Sequence, residues 1–214
     1  ISDGQLVRCS FPIDVDAFDA ALQDRDAIRS EIRKRHGIPN NHLVVLMVGK
    51  LIEIKRQSDL IVAAVRLRSI GVGVTVLFAG TGDQERPMRE LAAHEGLENI
   101  VFLGFVMPGD LVKYYLGADV YVHCSSVEPH SLAISEAIYT GLPVIVSDRC
   151  GSYGPTDDVR PGFNGFVYPC GDVAELTKYL AMLAYSPALR ELMGGESRVI
   201  GTSNQVLSHG KALL

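Results

Sequence analysis

Two glutamates in this sequence are placed for ligand chemistry. Glu128 and Glu136 are separated by seven residues, and the segment between them passes from a loop into the start of a predicted helix. Because helical side chains tilt toward the helix N-terminus, the Glu136 carboxylate is expected to point back at the end of the preceding strand. A carboxylate there can accept two hydrogen bonds from a ribose diol. Taken alone, two such acids are more often a solvated loop residue and a helix-surface residue.

The N-terminus of the same predicted helix adds backbone donors to this region. The N–H groups near Ser131 and Leu132 have no partner inside a helix that starts there. Such a terminus suits a pyrophosphate, because free N–H groups and the helix dipole both favour an anion. The segment therefore combines an acid for a diol with donors for phosphate oxygens.

Short apolar runs are predicted to be the strands that position these groups. The run at 43–48 shows no alternation, which is typical of a strand covered on both faces in a parallel sheet. The predicted strands are 43–48, 74–79, 100–103, 120–122, 143–146 and 165–168. Helical segments separate them, so we expect an α/β fold with a doubly wound, parallel, six-stranded Rossmann-like sheet and helices on both faces. By analogy with mononucleotide-binding folds, the expected strand order is 3-2-1-4-5-6, with ligands beyond the carboxyl ends of the strands.

The helices are predicted from apolar spacing and from end signals. Helical segments are expected at about 24–36, 60–67, after Pro87, at 109–116, at 131–140, at 172–184, and in a short stretch from Pro187. Asp172 and Glu175 form a predicted capping box. Residues 1–20 and the residues from about 196 show no strong periodicity, so both ends are expected to be irregular.

Composition argues against several classes of protein. The net charge is −5 and the sequence pI is near 5.7, which disfavours general nucleic-acid binding. No apolar run approaches the ~20 residues that span a bilayer, and the N-terminus does not resemble a signal peptide. Free, buried thiols in a reducing compartment are expected because no two cysteines have C-x-x-C spacing. The cysteines are Cys9, Cys124, Cys150 and Cys170.

The sequence indicates neither a metal site nor a dinucleotide site. The histidines show no metal spacing, and we interpret Asp157-Asp158 as loop or helix-start acids. Gly80 and Gly82 permit a tight turn and close approach of a ligand to the backbone. The third glycine of the dinucleotide fingerprint is absent, which argues against NAD or FAD.

The segment from Glu128 onward resembles the Glu-x7-Glu motif of the family 4 retaining glycosyltransferases. In the family the motif continues into a helix and then Gly-x-Pro-Val-Ile, and here Glu136-Ala137-Ile138 is followed by Gly141-Leu142-Pro143-Val144-Ile145. The resemblance covers residues 43 to 185 approximately. It implies a retaining hexosyltransferase of the GT-B fold, in which this chain is the C-terminal domain that binds a nucleotide-diphosphate sugar.

The resemblance implies catalytic roles for three residues. Lys50 and Lys55 correspond to the family's basic pair, usually Arg then Lys, that grips the donor diphosphate and stabilises the leaving group. Because both are Lys here, phosphate is expected to be held with looser geometry. Glu128 corresponds to the acid near the transferred sugar, and Glu136 to the acid on the ribose.

The resemblance also implies further donor-binding residues. Backbone groups at 104–107 contact the nucleobase in the family, although Phe105 and Val106 are equally compatible with packing. His130-Ser131 replaces the Phe-Gly or Gly-Phe common in the family, so Ser131 adds a Cβ where the backbone approaches phosphate. His130 can donate to sugar or phosphate, but a lone loop histidine is more often incidental. The implied donor-binding set is Glu136, Ser131, Leu132, Gly80, Gly82, Val106 and His130.

A division of the chain follows from the resemblance. Residues 1–40 are expected to be a linker and short helix that lead from a missing N-terminal acceptor domain, and Phe11-Pro12-Ile13-Asp14-Val15-Asp16 is similar to the family's stretch there. Residues 41–195 are the expected donor-binding domain, and 196–214 a C-terminal tail. The acceptor is expected to attack the front face of the anomeric carbon while the leaving diphosphate assists its deprotonation. Because the acceptor site belongs to the missing domain, the isolated fragment is expected to be inactive.

The expected partners are a nucleotide-diphosphate sugar and the N-terminal domain, with no nucleic acid, no metal and no cofactor. The whole protein is expected in the cytoplasm, with peripheral contact at the inner membrane face if its acceptor is lipid-linked. Two alternatives stay open. One is a nucleotide-sugar epimerase of the same paired fold, and the other is a catalytically inactive glycosyltransferase-like subunit.

Overall fold

The computed structural model describes residues 12–208, and side chains over residues 12–205. The six strands are β1 (Leu43–Val48), β2 (Val74–Ala79), β3 (Ile100–Gly104), β4 (Val120–His123), β5 (Val144–Ser147) and β6 (Gly165–Tyr168). The helices are α1 (Val15–Leu22), α2 (Arg25–Arg35), α3 (Gln57–Ser69), α4 (Glu85–His94), α5 (Pro108–Gly117), α6 (Leu132–Tyr139), α7 (Val173–Tyr185) and α8 (Pro187–Ser208). A 3₁₀ helix lies at Glu53–Lys55, between β1 and α3.

The strands form one parallel sheet in the order β3-β2-β1-β4-β5-β6. Both the predicted α/β class and the predicted strand order are confirmed. Leu43 pairs with Val74, Val45 with Val120, and each neighbouring strand runs in the same direction. All carboxyl ends therefore meet at one edge of the sheet, the edge at which α/β folds bind ligands.

Each face of the sheet has its own apolar layer, because alternate strand residues point to opposite faces. One layer contains Leu46 and Tyr121 and is covered by residues of α1, α2, α5 and α6. The other contains Val45 and Val76 and is covered by α3, α4 and α7. Helix α8 contributes Met193 to the second layer and Ile200 to the first.

The expectation that residues 1–20 are irregular is wrong for residues 15–20, which belong to α1. Asp14 caps this helix, since its Oδ1 accepts a 3.2 Å hydrogen bond from the Ala17 N–H. Phe18 is 3% exposed, and its ring lies 6.1 Å from that of Tyr115 and 5.9 Å from that of Tyr139. Val15 and Leu22 also pack against this apolar layer, so side chains at helical spacing hold α1 on the sheet. Phe11 lies outside the described residues.

The predicted irregular tail from residue 196 is also wrong over 196–208, because α8 continues to Ser208. Apart from Ile200, the buried side chains of this stretch are polar, which weakens the apolar periodicity on which the prediction depended. Asn204 donates to Asp158 Oδ1 at 2.7 Å, and Ser197 Oγ donates to the Leu142 carbonyl at 2.6 Å. A second hydrogen bond to Asp158 comes from Ser135 at 2.7 Å. Asp158 is therefore a buried structural acid that joins α6 to α8.

Two smaller predictions have mixed outcomes. The capping box at α7 is half formed. Asp172 Oδ1 accepts from the Glu175 N–H at 3.0 Å, but the Glu175 carboxylate pairs with Lys178 at 2.7 Å. Cys124 and Cys150 are free and buried, as predicted, and burial raises the pKa of Cys124 to about 12. Cys170 is free but only partly buried, so the prediction of burial is wrong there, and Cys9 lies outside the described residues. Within residues 12–208, no helix has the length and apolar content needed to cross a membrane.

Candidate functional site

The loops that follow β1, β2 and β3 are joined to one another at the carboxyl edge. The Gly49 N–H donates to the Ala79 carbonyl at 2.9 Å, and the Gly80 N–H donates to the Gly104 carbonyl at 2.8 Å. Farther out, the Leu51 N–H donates to the Thr81 carbonyl at 3.0 Å. These bonds satisfy backbone groups outside the sheet and fix the position from which Lys50 and Lys55 extend.

The packing of these loops requires glycine at positions 80 and 82. A Cβ on Gly80 would lie 1.9 Å from the Gly49 carbonyl oxygen, and one on Gly82 would lie 2.0 Å from that of Leu51. Gly80 also has φ +143°, which residues with a Cβ rarely adopt. Contact between the chain's own loops is enough to require both glycines, so their contact with a ligand stays a prediction.

Lys55 and Glu128 are brought together, although they are far apart in sequence. Lys55 ends the 3₁₀ helix after β1, and its Nζ forms an ion pair with Glu128 Oε2. The two side chains are 17% and 12% exposed. Lys50 is exposed, and its backbone carbonyl accepts a 2.8 Å hydrogen bond from Gln57 Nε2. Within the described chain, no ion pair joins the Lys50 side chain to either predicted glutamate.

The backbone of the Glu128 loop is anchored to the loop after β5. The Glu128 N–H donates to the Arg149 carbonyl at 3.2 Å, and the Gly151 N–H donates to the Glu128 carbonyl at 2.7 Å. A Cβ on Gly151 would lie 2.2 Å from the Pro129 carbonyl oxygen, so glycine is needed for this approach. A cavity of about 530 Å³ opens beside Glu128 and is bounded by Asp148 and Tyr153.

His123, which was not predicted as a site residue, contacts the Glu128 carboxylate. It is the last residue of β4 and is 1% exposed. Its Nε2 is 2.9 Å from Glu128 Oε2 and 2.9 Å from Ser125 Oγ, and its Nδ1 is 3.1 Å from the Tyr121 hydroxyl. A carboxylate can only accept, so Nε2 carries a proton and Nδ1 is an acceptor. The single proton of the Tyr121 hydroxyl can be donated either to Nδ1 or to the Val48 carbonyl, which lies 3.4 Å away. The place of His123 at the carboxyl end of a strand was the available sequence signal.

These contacts keep Glu128 ionised. Burial alone would raise the pKa of Glu128, but hydrogen bonds from His123 and Lys55 outweigh burial and lower its pKa to about 2. Burial lowers the pKa of His123, with partial opposition from Glu128, which favours a neutral imidazole. Glu128 is therefore an anion whose Oε2 is occupied by Lys55 and His123.

Glu136 belongs to the same layer of the molecule as His123. Its Oε2 accepts a 2.7 Å hydrogen bond from the Tyr115 hydroxyl. The Tyr115 ring centroid is 6.0 Å from that of Tyr121, which in turn is 6.1 Å from the His123 ring. Burial raises the pKa of Glu136, and the hydrogen bond from Tyr115 opposes that rise. A continuous row of rings thus links the two glutamates of the sequence motif on one face of the sheet.

The N-terminus of α6 differs in one respect from its prediction. The Ser131 N–H is not free, because it lies 3.3 Å from Ser152 Oγ, in a loop distant in sequence. The same Ser152 Oγ is 3.4 Å from His130 Nδ1. Within the described part of the chain, the Leu132 N–H has no protein acceptor, and the Leu132 side chain is 48% exposed. The Leu132 N–H is therefore a donor available at this helix terminus, as predicted.

The stretch after β3 also lies at the carboxyl edge. Val106 is half-buried and packs against the apolar layer, whereas Phe105 and Met107 are 73% and 61% exposed. Packing explains Val106, and its proposed contact with a nucleobase stays a prediction.

A second cavity, of about 500 Å³, lies at the opposite edge, among residues that precede β4 and β5. Arginines line it, but each bonds to a carbonyl at a helix C-terminus. Arg25 donates to Thr140 at 3.1 Å, and Arg198 donates to Tyr139 at 2.6 Å. Cations at such ends complement the helix dipole, which gives these arginines a structural role.

Comparison with known proteins gives consistent matches. The sequence profile of the family described as "Glycosyl transferases group 1" matches residues 28–199. A D-inositol 3-phosphate glycosyltransferase of Thermobifida fusca is 31% identical over 176 residues, which cover 78% of this chain and 40% of that protein. The chain spans less than half the length of this and other curated relatives.

Solved structures share the fold. Anabaena HepE in complex with UDP and glucose superimposes with a TM-score of 0.80 at 21% identity, and the match covers 96% of this chain and 55% of that one. The C-terminal domain of a group 1 family protein (LpcC) from Francisella tularensis has a TM-score of 0.72 at 20% identity, covering 82% of this chain and 91% of that one.

Proposed function

This chain belongs to the group 1 glycosyltransferase family, and on that premise we propose that it binds the nucleotide-diphosphate sugar donor of a retaining hexosyl transfer. The observation that carries the proposal is the convergence of Lys55, Glu128 and Glu136 at one edge, joined through His123 and a row of tyrosines. HepE, which has the same fold, was solved with UDP and glucose and supports a sugar nucleotide as ligand.

Each part of the donor has a proposed partner. Glu136 accepts from the ribose, and the free Leu132 N–H at the start of α6 donates to the diphosphate. Lys50 is exposed and supplies a cation to the same diphosphate, with Lys55 as the second. The charge that develops on the leaving diphosphate is stabilised by these groups. His130, Val106, Gly80 and Gly82 complete the proposed lining.

Glu128 is proposed to hold a hydroxyl of the transferred sugar. With a pKa of about 2, its carboxylate is a weak base and would deprotonate an acceptor poorly. Lys55 and His123 occupy Oε2, so Oε1 is the oxygen that remains for a sugar hydroxyl. We therefore assign proton removal to the leaving diphosphate during front-face attack, and not to Glu128.

The acceptor site is assigned to a separate N-terminal domain. The match to an isolated C-terminal domain from Francisella tularensis supports a donor-binding unit within residues 41–195, preceded by a linker. On this proposal the isolated chain binds donor but transfers sugar poorly, because the cleft that excludes water needs both domains.

The proposal is tested by calorimetry and thermal unfolding against UDP, GDP and ADP and their glucose or mannose derivatives. A ligand at 100 times its dissociation constant should stabilise the chain by about 2.7 kcal/mol. Glu136→Gln should abolish most of that gain. Glu90→Gln is the matched control, because Glu90 is an exposed helical acid paired with Arg86. Absence of any nucleotide binding by the wild-type chain would reject the proposal.

A further inference from the structure

The Glu136 carboxyl group has one side-chain hydrogen-bond partner among the described residues. Its Oε2 accepts one hydrogen bond, from Tyr115, and no ion pair reaches it within the part of the chain that is described. An ionised carboxylate has about four acceptor positions, and one of them is used by a described side chain. Burial without a cation raises the pKa of Glu136, and the Tyr115 hydroxyl is the group that opposes this rise. Among the described side chains, the Tyr115 hydroxyl is therefore the group that stabilises the charged form of Glu136.

Packing on several elements fixes the position of that phenol. Tyr115 lies on α5 and its side chain is fully buried. The ring lies 6.1 Å from Phe18 of α1 and 6.0 Å from Tyr121 of β4. Because the ring cannot swing, the hydroxyl fixes which oxygen of Glu136 is occupied and the direction in which the other one points.

We propose that Tyr115 is a positioning residue that orients Glu136 to accept hydrogen bonds from the vicinal ribose hydroxyls of a nucleoside diphosphate. Tyr115 does not touch the ligand and acts through the carboxylate. This inference rests on the proposed function, and it adds that selection of ribose over deoxyribose depends on the Tyr115 hydroxyl. A carboxylate built to accept from two hydroxyls is left unpaired by a ligand that lacks one of them.

The chain contains a matched control for removal of this hydroxyl. Tyr139 also donates from its hydroxyl to a carboxylate, at 2.9 Å from Asp19 Oδ1, and its ring also packs on Phe18. Tyr139→Phe therefore removes the same kind of bond in the same apolar layer, but at an acid outside the candidate site. A merely structural hydroxyl would lower thermal stability in both variants without changing the choice between sugars.

The experiment compares dissociation constants of UDP, GDP and ADP with those of dUDP, dGDP and dADP by calorimetry. The pair used is the one whose ribonucleotide binds the wild-type chain most tightly. The wild type is expected to prefer that ribonucleotide by about tenfold or more, as expected for loss of a hydrogen bond to a charged group. Tyr115→Phe should reduce this ratio at least threefold, and Glu136→Gln should reduce it further. Tyr139→Phe should leave the ratio unchanged.

Two failures are distinguishable. If Glu136→Gln removes the preference but Tyr115→Phe retains it in full, the role of Tyr115 is overturned while the proposed function stands. If the wild type binds no nucleotide, or Glu136→Gln changes nothing, the proposed function fails and the inference falls with it. Should Tyr115→Phe not fold, Tyr115→4-fluorophenylalanine fills nearly the same space without a donor. The ratio should again fall at least threefold, and an unchanged ratio would overturn the inference.

Discussion

Replacement of Glu128 by Gln should destabilise the chain at neutral pH and much less in acid. The substitution keeps the size of the side chain and removes the charge that Lys55 and His123 share. It leaves Lys55, which is 17% exposed, without its anion. When one partner of a partly buried ion pair is removed, the remaining charge stays desolvated without the attraction that offset its desolvation.

The magnitude follows from the pKa of Glu128, which falls from its ordinary value of 4.5 to about 2. That difference corresponds to an upper limit of about 3 kcal/mol of stability from the charged form. Because solvent and side-chain rearrangement reduce such effects, we expect Glu128→Gln to cost about 1–3 kcal/mol at pH 7.

The dependence on pH has a definite sign. A carboxyl whose pKa is lowered by folding contributes its full stability above the unfolded pKa, and this contribution disappears as the pH falls through the folded pKa. The difference between wild type and Glu128→Gln should be constant above about pH 5.5. About three quarters of it should remain at pH 4, and about two fifths at pH 3.

Urea unfolding of both proteins at pH 7, 5, 4 and 3 measures this difference. Glu90→Gln serves as control, because the Glu90 carboxylate is 64% exposed and such surface pairs contribute little. A difference that stays the same from pH 7 to pH 3 would refute the assignment of the stability to the charge of Glu128.

Two further predictions concern the frame and the cation of the site. Asp158→Asn replaces one acceptor oxygen of Asp158 by a donor that faces Asn204 or Ser135. The substitution should lower the free energy of unfolding by about 1–3 kcal/mol, as measured with urea. An unchanged unfolding midpoint would contradict the docking of α8 through this acid. Lys50→Gln should leave the stability of the chain unchanged, because the Lys50 side chain is exposed. The substitution should weaken binding of the nucleotide selected in the screen and make that binding less sensitive to salt. Equal affinity of the variant and the wild type would remove Lys50 from the site.

The parts of the fold that could be predicted from sequence are those with a simple apolar pattern. The unbroken apolar run of β1 predicted a strand buried on both faces, and its bounds are confirmed. Helix α8 could not be predicted in full, because Ser197 and Asn204 on its inner face bond to residues distant in sequence. Helix α1 was missed although Val15, Phe18 and Leu22 recur at helical spacing, because the helix has only eight residues and its docking partners are distant in sequence.

In the candidate site, residue spacing and the family resemblance identified charged residues but not their partners. The Glu128 and Lys55 side chains were singled out, but their direct ion pair depends on the meeting of two loops. His123 gave only a weak signal as a lone histidine in an apolar strand. The Ser131 N–H was expected to be free, and the side chain of Ser152 that binds it comes from a loop 21 residues away.

The most direct test of the account is a crystal structure of this chain with the nucleoside diphosphate that binds it most tightly. We predict the diphosphate at the start of α6, within reach of Lys50 and Lys55, and the ribose hydroxyls on the Glu136 carboxylate. A nucleotide bound instead in the arginine-lined cavity of about 500 Å³ at the opposite edge of the sheet would contradict it.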